Sequence, residues 1–149
     1  MGAKQPPPAS PATIREVQPD DALQIAELFA ELDHPLTQTE AAERLGRGVE
    51  TVFVALEGDR IAGLIAVSRL LLFARARPIA RISALMVRAD PQLRLSARLM
   101  DRACLWARET GCEGVEVTSA MRRERAEAHR FYQDYGFERL DYRFYLALR

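Results

Sequence analysis

The sequence predicts a single α/β domain in which helices flank a mixed β-sheet. Three observations predict it. The chain has 149 residues, which is enough for one hydrophobic core but not for two. Its 48% hydrophobic and 28% charged residues are typical of a soluble globular protein. Helical and strand-like patterns alternate from residue 12 to residue 149, whereas residues 1–11 are rich in proline and are expected to be disordered.

The first part of this domain predicts one strand and two helices. Residues 13–17 alternate as a short strand does. Residues 22–32 carry apolar side chains at helical spacing, and the His-Pro pair after them ends the helix. Thr37 and Glu40 have the spacing of a capping box, so a second helix is expected to begin there and to end near Gly46.

The middle of the chain predicts three strands. Residues 51–56 and 61–73 are apolar stretches on either side of the short polar turn 57–60, and a β-hairpin is the simplest interpretation. Residues 79–87 form another apolar run and predict the next strand.

The last part predicts two helices and three strands. Residues 95–107 repeat apolar side chains at helical spacing, and residues 115–118 follow as a strand, so this helix is a candidate crossover between parallel strands. A second helix is predicted over 128–135, followed by aromatic-rich strand material over 137–148. We therefore expect a mixed central sheet of about six to seven strands and about four helices.

The charge distribution favours a small anionic ligand over a nucleic acid. Residues 1–68 have a net charge of −6 and residues 69–149 have a net charge of +6, which together give zero. A basic second half indicates a small polyanion bound there, although solvated helix faces would give the same pattern. A nucleic-acid-binding domain more often carries a strong positive net charge, so we expect no nucleic-acid partner.

The sequence also argues against a membrane span, a secretory leader and a metal site. No apolar run reaches the roughly eighteen residues that a membrane helix needs, and the first twelve residues lack the apolar stretch of a signal peptide. We therefore expect a cytoplasmic protein. Cys104 and Cys112 come with only two histidines, which favours buried, reduced thiols and no metal.

Three segments in a fixed order carry a resemblance to a known family. They are the strand segment 82–87, the loop-to-helix junction 92–97, and the segment 128–132 followed by Gly136-Phe137. In these segments the chain resembles the GNAT superfamily of acyl-CoA-dependent N-acetyltransferases. The resemblance covers nearly the whole folded region and implies the GNAT fold, with acetyl-CoA as co-substrate.

The resemblance also implies which residues bind the co-substrate. A helix N-terminus binds phosphate through its unpaired amides, so the junction at 93–98 is where the pyrophosphate would lie. Gln92 and Ala97 match the family pattern, whereas Leu95 stands where relatives carry the first glycine. The strand end would bind the pantetheine arm through its backbone. The expected co-substrate-binding residues are Leu85, Met86, Val87, Gln92, Leu93, Arg94, Leu95, Ser96, Ala97, Arg98 and Arg125.

Two catalytic positions follow from the same resemblance. Tyr132 lies where the family places the general acid that protonates the departing thiolate, although a core tyrosine is the alternative interpretation. Ser83 lies where relatives often carry a glutamate base, and a hydroxyl does not replace a carboxylate in that role. Glu116 alternates with valines and is expected to face away from the cleft, and His129 more often has a packing or surface role.

The resemblance leaves two functions open. The first is an N-acetyltransferase that moves an acetyl group from acetyl-CoA to a primary amine of a small molecule. The second is a catalytically silent GNAT-like module that acts as a binding or assembly partner, which Leu95 and Ser83 motivate. The first two helices would form the acceptor wall, and their pattern is similar to acetyltransferases of aminoglycosides or aminoalkylphosphonates. Aromatic residues near Tyr142 and Phe144 would serve either a homodimer interface or the core.

Overall fold

A mixed β-sheet with helices on both faces forms most of the described chain. The computed structural model describes residues 12–88, 94–118 and 126–148. Within these residues it contains five strands: β1 (Thr13–Glu16), β2 (Thr51–Glu57), β3 (Arg60–Leu70), β4 (Ile79–Val87) and β5 (Val115–Val117). The same residues form four α-helices: α1 (Ala22–Glu31), α2 (Gln38–Gly46), α3 (Arg94–Glu109) and α4 (Ala126–Tyr135).

The strands lie in the sheet in the same order as in the chain. The pairs β1–β2, β2–β3 and β3–β4 are antiparallel, whereas β4 and β5 are parallel. A parallel pair needs a crossover connection, and α3 lies in the chain between β4 and β5. The α/β class, the mixed sheet and the crossover helix predicted from the sequence are therefore confirmed.

The β2–β3 hairpin depends on a glycine with positive φ. Glu57 pairs with Arg60, which leaves a two-residue turn in which Gly58 has a φ of 60°. Tight hairpin turns require this left-handed conformation, and a glycine adopts it without a steric penalty.

The two faces of the sheet pack against different helices. Leu64 of β3 belongs to the apolar cluster that α1 and α2 form with the sheet, and Leu28 of α1 is fully buried there. Gly63, the preceding residue, therefore faces the opposite side, where a Cβ added to it would lie 3.3 Å from Cδ1 of Leu99 in α3. The sheet is thus the middle layer between α1–α2 and α3.

Two sets of polar contacts position α1 and α2 on the first face of the sheet. Thr37 and Glu40 form the predicted capping box of α2: the Glu40 amide donates to Oγ1 of Thr37 at 3.1 Å, and the Thr37 amide donates to Glu40 at 2.9 Å. Before α1, the buried Asp21 accepts two bonds from Arg15 at 2.7 and 2.9 Å and one from the Gln18 amide at 2.7 Å. The hydrogen bonds from Arg15 lower the pKa of Asp21 below its ordinary value.

The predicted strand material over 137–148 is wrong, and this explains why the described strands number five rather than six to seven. Residues 137–148 form no strand, and large apolar side chains such as Phe144 are exposed there. Aromatic side chains favour a strand only when a neighbouring strand satisfies its backbone hydrogen bonds, and no described strand pairs with this segment.

The internal contacts divide the chain into two units. The first, Met1–Val117, holds the sheet with α1, α2 and α3, and the second, Thr118–Arg149, holds α4 and the segment after it. In the second unit, Phe131 and Phe137 pack edge-on against the Tyr132 ring, with centroid distances of 5.6 and 5.8 Å. A single domain over residues 12–149 stays a prediction, and the expected disorder of residues 1–11 lies outside the described residues.

The structure adds three observations on chemistry and membranes. No helix in the described ranges is both long and apolar enough to cross a bilayer. Among the same residues, no group of three or more His, Cys, Asp or Glu side chains could hold a metal ion. Cys104 and Cys112 form no disulfide and are half-buried rather than fully buried.

Candidate active site

An open strand edge lies next to the predicted catalytic position. The parallel ladder between β4 and β5 covers only residues 80–82 of β4. Residues 84–87 of β4 are paired with β3 on one side, and no described strand pairs with the other side of residues 83–87. Backbone amides and carbonyls on such an edge can bind an extended ligand as an added strand would. The edge includes Leu85, Met86 and Val87, the residues expected to bind a pantetheine arm.

A β-bulge marks the start of this edge. On β3, Ala66 and Val67 are adjacent, but their partners on β4 are Ala84 and Ile82, so Ser83 is the extra residue. A bulge interrupts the regular ladder, and this one directly follows Ile82, the last residue of β4 that pairs with β5. The exposed Ser83 hydroxyl donates a hydrogen bond to Oε2 of Glu50, the residue before β2.

Glu50 is a polar site residue that was not among those predicted from the sequence. Val52 and Val54 contribute to the apolar layer on the α1–α2 side of the sheet. Side chains two positions apart along a strand share a face, and Glu50, in the bend one residue before β2, continues the spacing of Val52 and Val54. The alternation of Glu50, Val52 and Val54 could have predicted the face, but the contact with Ser83 joins residues 33 positions apart.

The N-terminus of α3 presents amides and arginines beyond the end of β4. The first turn of an α-helix leaves its amides without intrahelical acceptors, which makes it a site for phosphate groups. Arg94 and Arg98 are exposed on this turn, and Arg98 donates to the carbonyl of Ala12. Ser96 is buried and Ala97 is half-buried.

Leu95 belongs to the hydrophobic core, because its side chain is 8% exposed. The branched side chain at the position of the family's first glycine therefore packs inward as the first apolar residue of α3. Three other predicted co-substrate-binding residues, Gln92, Leu93 and Arg125, lie outside the described residues.

An arginine after β4 ties this end of the sheet to α1. The Arg88 guanidinium donates to Oε2 of Glu31 and, at 2.8 Å, to the carbonyl of Ile61. Arg60 also donates to Glu31, at 3.2 Å. The hydrogen bond from Arg88 and the two positive charges hold the pKa of Glu31 below its ordinary value.

The remaining predicted residues have distinct surroundings. Tyr132 lies on α4 in the second unit, where its ring is half-buried among aromatic side chains. His129 is half-buried on the same helix. Glu116 forms an ion pair with Nε of Arg81, its partner in the β4–β5 register. The positive charge of Arg81 therefore already engages this carboxylate.

Comparisons with known proteins agree with this architecture. The model of the Acetyltransferase (GNAT) family matches residues 16–137. No curated protein sequence matches the chain at a significant level. An aminoglycoside N-acetyltransferase, AAC(6')-Iy in complex with CoA, has a TM-score of 0.81 at 16% identity, with 97% of this chain and 99% of that chain covered.

Two further solved structures have the same fold. An acetyltransferase from Trypanosoma brucei has a TM-score of 0.73 at 24% identity, covering 92% of this chain and 99% of that one. An aminoglycoside acetyltransferase from an uncultured soil metagenomic sample, in complex with sisomicin, has a TM-score of 0.75 at 21% identity, covering 93% and 97%. At these identities, the similarity to solved structures shows the fold alone. The family model shows the family, because it matches most of the chain. The chain therefore belongs to the GNAT acetyltransferase family.

Proposed function

We propose that this protein transfers an acetyl group from acetyl-CoA to a primary amine of a small molecule. The observation that carries the proposal is the open edge of β4 at residues 83–87, which leads toward the N-terminus of α3. This arrangement offers backbone groups to an extended pantetheine arm and helix amides to a pyrophosphate. The family match supports the same co-substrate.

The co-substrate would follow the strand in a defined direction. Its pyrophosphate would bind at the first turn of α3, near the charges of Arg94 and Arg98, and its pantetheine arm would run back along β4 from Val87 toward Ser83. The inward packing of Leu95 supports this, since the side chain occupies the core rather than the space beyond the helix end. Gln92, Leu93 and Arg125 would complete the binding residues, as the family resemblance implies.

The reaction needs an oriented amine, a polarised thioester and a proton for the departing sulfur. Holding amine and thioester in contact removes much of the entropic barrier, and backbone amides can stabilise charge on the carbonyl oxygen. Tyr132 would protonate the thiolate. Structural neighbours that act on aminoglycosides support a small cationic acceptor, and α1 and α2 are proposed to form its wall.

Two residues that differ from the family pattern support a second candidate function. Ser83 and Leu95 stand where family members often carry Glu and Gly. A catalytically silent member that serves as a binding or assembly partner is therefore the alternative.

Calorimetric titration with acetyl-CoA, followed by an amine panel with detection of released thiol, separates the two functions. The panel contains aminoglycosides, aminoalkylphosphonates and simple primary amines. Saturable binding and acetyl transfer support the enzyme. Binding of acetyl-CoA without transfer to any amine supports the silent module, and an absence of binding at millimolar acetyl-CoA refutes the proposed co-substrate.

The proposed binding mode predicts that two arginines of α3 contribute unequally to the affinity for acetyl-CoA. Replacing Arg94 with Ala removes a positive charge at the first turn, whereas Arg108→Ala removes one from the last turn of the same helix. A hydrogen bond to a charged group contributes about 1.5–3 kcal/mol, so Arg94→Ala is expected to raise the Kd for acetyl-CoA roughly tenfold or more. Arg108→Ala should change it less than about twofold, as expected for an exposed charge away from the ligand.

Pantetheine, which has no phosphate, is the control ligand for this comparison. Its affinity should be the same for both variants. Equal acetyl-CoA affinities of the two variants would contradict a pyrophosphate at the N-terminus of α3.

A further inference from the structure

We infer that Glu50 is the general base of the proposed transfer reaction and that the Ser83 hydroxyl positions its carboxylate. This inference rests on the proposed function. Its observation is the hydrogen bond from Ser83 to Oε2 of Glu50, which brings a carboxylate from the start of β2 to the bulge of β4. Ser83 by itself does not remove a proton from an ammonium group, but a carboxylate beside it does.

The position of Ser83 places this carboxylate at the reacting end of the co-substrate. Pairing between β4 and β5 covers residues 80–82, so the open edge begins at Ser83. A pantetheine arm that enters near the N-terminus of α3 and follows the open edge of β4 ends near Ser83, because β5 pairs with the residues before it. The thioester at the end of the arm would therefore lie beside the bulge, within reach of an acceptor bound by Glu50.

The pattern of ion pairs favours Glu50 over Glu116, the carboxylate of β5. Arg81 and Glu116, paired partners on β4 and β5, neutralise each other in an ion pair. In the described part of the chain, Glu50 forms no ion pair, and its described partner is the uncharged hydroxyl of Ser83. A carboxylate in this state attracts a cationic amine, whereas an arginine-paired one has much of its charge compensated.

The proton balance of the step is complete. The acceptor ammonium gives one proton to the Glu50 carboxylate. The lone pair of the resulting amine nitrogen then forms the C–N bond at the thioester carbonyl. The C–S bond breaks as the tetrahedral intermediate collapses, and the sulfur receives a proton from the general acid, which the family resemblance assigns to Tyr132. A second nitrogen proton, relayed by water, restores the phenol, the third remains on the amide, and Glu50 releases its proton to solvent.

The exposure of Glu50 fits a group that meets its substrate from solvent. A base must come within hydrogen-bond distance of the proton that it removes, and the exposed Glu50 carboxylate is accessible to an amine that arrives from solvent. The single hydroxyl contact limits rotation of the side chain while leaving one carboxylate oxygen for the ammonium group.

The test compares Glu50→Gln with Glu57→Gln, which changes a carboxylate at the opposite end of β2. We expect Glu50→Gln to lower kcat for acetyl transfer by about 10² to 10⁴ while the acetyl-CoA Kd stays within about twofold, because the base acts on the amine. Glu57→Gln should keep kcat within about threefold, as an exposed substitution away from the site does. In Glu50→Ala, added formate should restore part of the rate by supplying a carboxylate.

Each outcome decides the inference. A large loss of kcat with retained acetyl-CoA binding and rescue by formate supports Glu50 as the base. A Glu50→Gln rate equal to that of Glu57→Gln overturns the inference while the acetyltransferase function stands. A loss that formate does not rescue indicates a structural role and also overturns it. If the wild-type protein acetylates no amine, the proposed function and this inference both fail.

The positioning role of Ser83 is tested by Ser83→Ala. Loss of one hydrogen bond leaves the carboxylate present but less well oriented, so we expect kcat to fall by up to about tenfold, far less than in Glu50→Gln. The acceptor KM should change less than kcat. A Ser83→Ala loss as large as that of Glu50→Gln would overturn this division of roles.

Discussion

Replacing Leu95 with glycine restores the residue typical of the family but is expected to destabilise this protein. The leucine side chain is buried in the core at the start of α3, next to the candidate pyrophosphate site. The substitution removes that side chain and adds a flexible residue to the first helical turn. We therefore expect loss of folding free energy rather than improved binding of acetyl-CoA.

The magnitude follows from two contributions. Truncation of a buried leucine to alanine costs about 2–5 kcal/mol, because both transfer free energy and packing are lost. Glycine in a helix costs about 1 kcal/mol more than alanine. The sum is roughly 3–6 kcal/mol, a large share of the 5–15 kcal/mol that is typical of the free energy of unfolding of a domain.

Leu105→Gly is the matched control. Leu105 lies on the same helix, and its side chain is 45% exposed. This variant should lose about 1–2 kcal/mol, mostly through the helix propensity of glycine. Urea unfolding at 25 °C, followed by circular dichroism, measures both free energies, and an acetyl-CoA titration measures binding by the folded fraction.

One result would refute the reasoning about Leu95. If Leu95→Gly and Leu105→Gly unfold with free energies within about 1 kcal/mol of each other, the Leu95 side chain is not part of the core. If, in addition, Leu95→Gly binds acetyl-CoA much more tightly than the wild type does, the native leucine obstructs the phosphate site. That combination would favour the silent module over the enzyme.

Two further predictions concern proton transfer and pH. Tyr132→Phe should lower the transfer rate by about 10² to 10⁴, while the free energy of unfolding changes by no more than about 0.5–1.5 kcal/mol. The control, Tyr135→Phe on the same helix, should leave the rate intact. Equal rates for the two variants would remove Tyr132 from the mechanism. Asp21→Asn should destabilise the protein by about 1–3 kcal/mol at neutral pH, because Asp21 accepts charged hydrogen bonds from Arg15. Since the folded-state pKa of Asp21 is lowered, its contribution is present above the unfolded pKa of about 3.9 and is lost as the pH falls through the folded value. Urea unfolding as a function of pH should show the two proteins converging in acid, with the exposed Asp20→Asn as the control; a pH-independent difference would contradict the assigned charge effect.

The sequence by itself determined the elements whose signals are local. The Thr37 and Glu40 spacing predicted the start of α2, and the structure contains the reciprocal hydrogen bonds of that capping box. The apolar repeat over 95–107 predicted α3, and the apolar runs around Gly58 predicted the β2–β3 hairpin. These signals involve residues within a few positions of one another, so they can be recognised before any tertiary contact is known. The order of three motifs, in turn, identified the family.

Tertiary structure decided which strands pair and which side chains meet. Residues 137–148 are rich in aromatic side chains, but the described structure gives them no partner strand, and a strand without a partner leaves its backbone groups unsatisfied. The open edge of β4 likewise depends on where β5 stops pairing, which no local pattern encodes. Glu50 and Ser83 are brought together only because β2, β3 and β4 lie side by side with a bulge at Ser83. Contacts of this kind depend on strand register across the sheet, and register is set by the packing of the whole hydrophobic layer rather than by neighbouring residues.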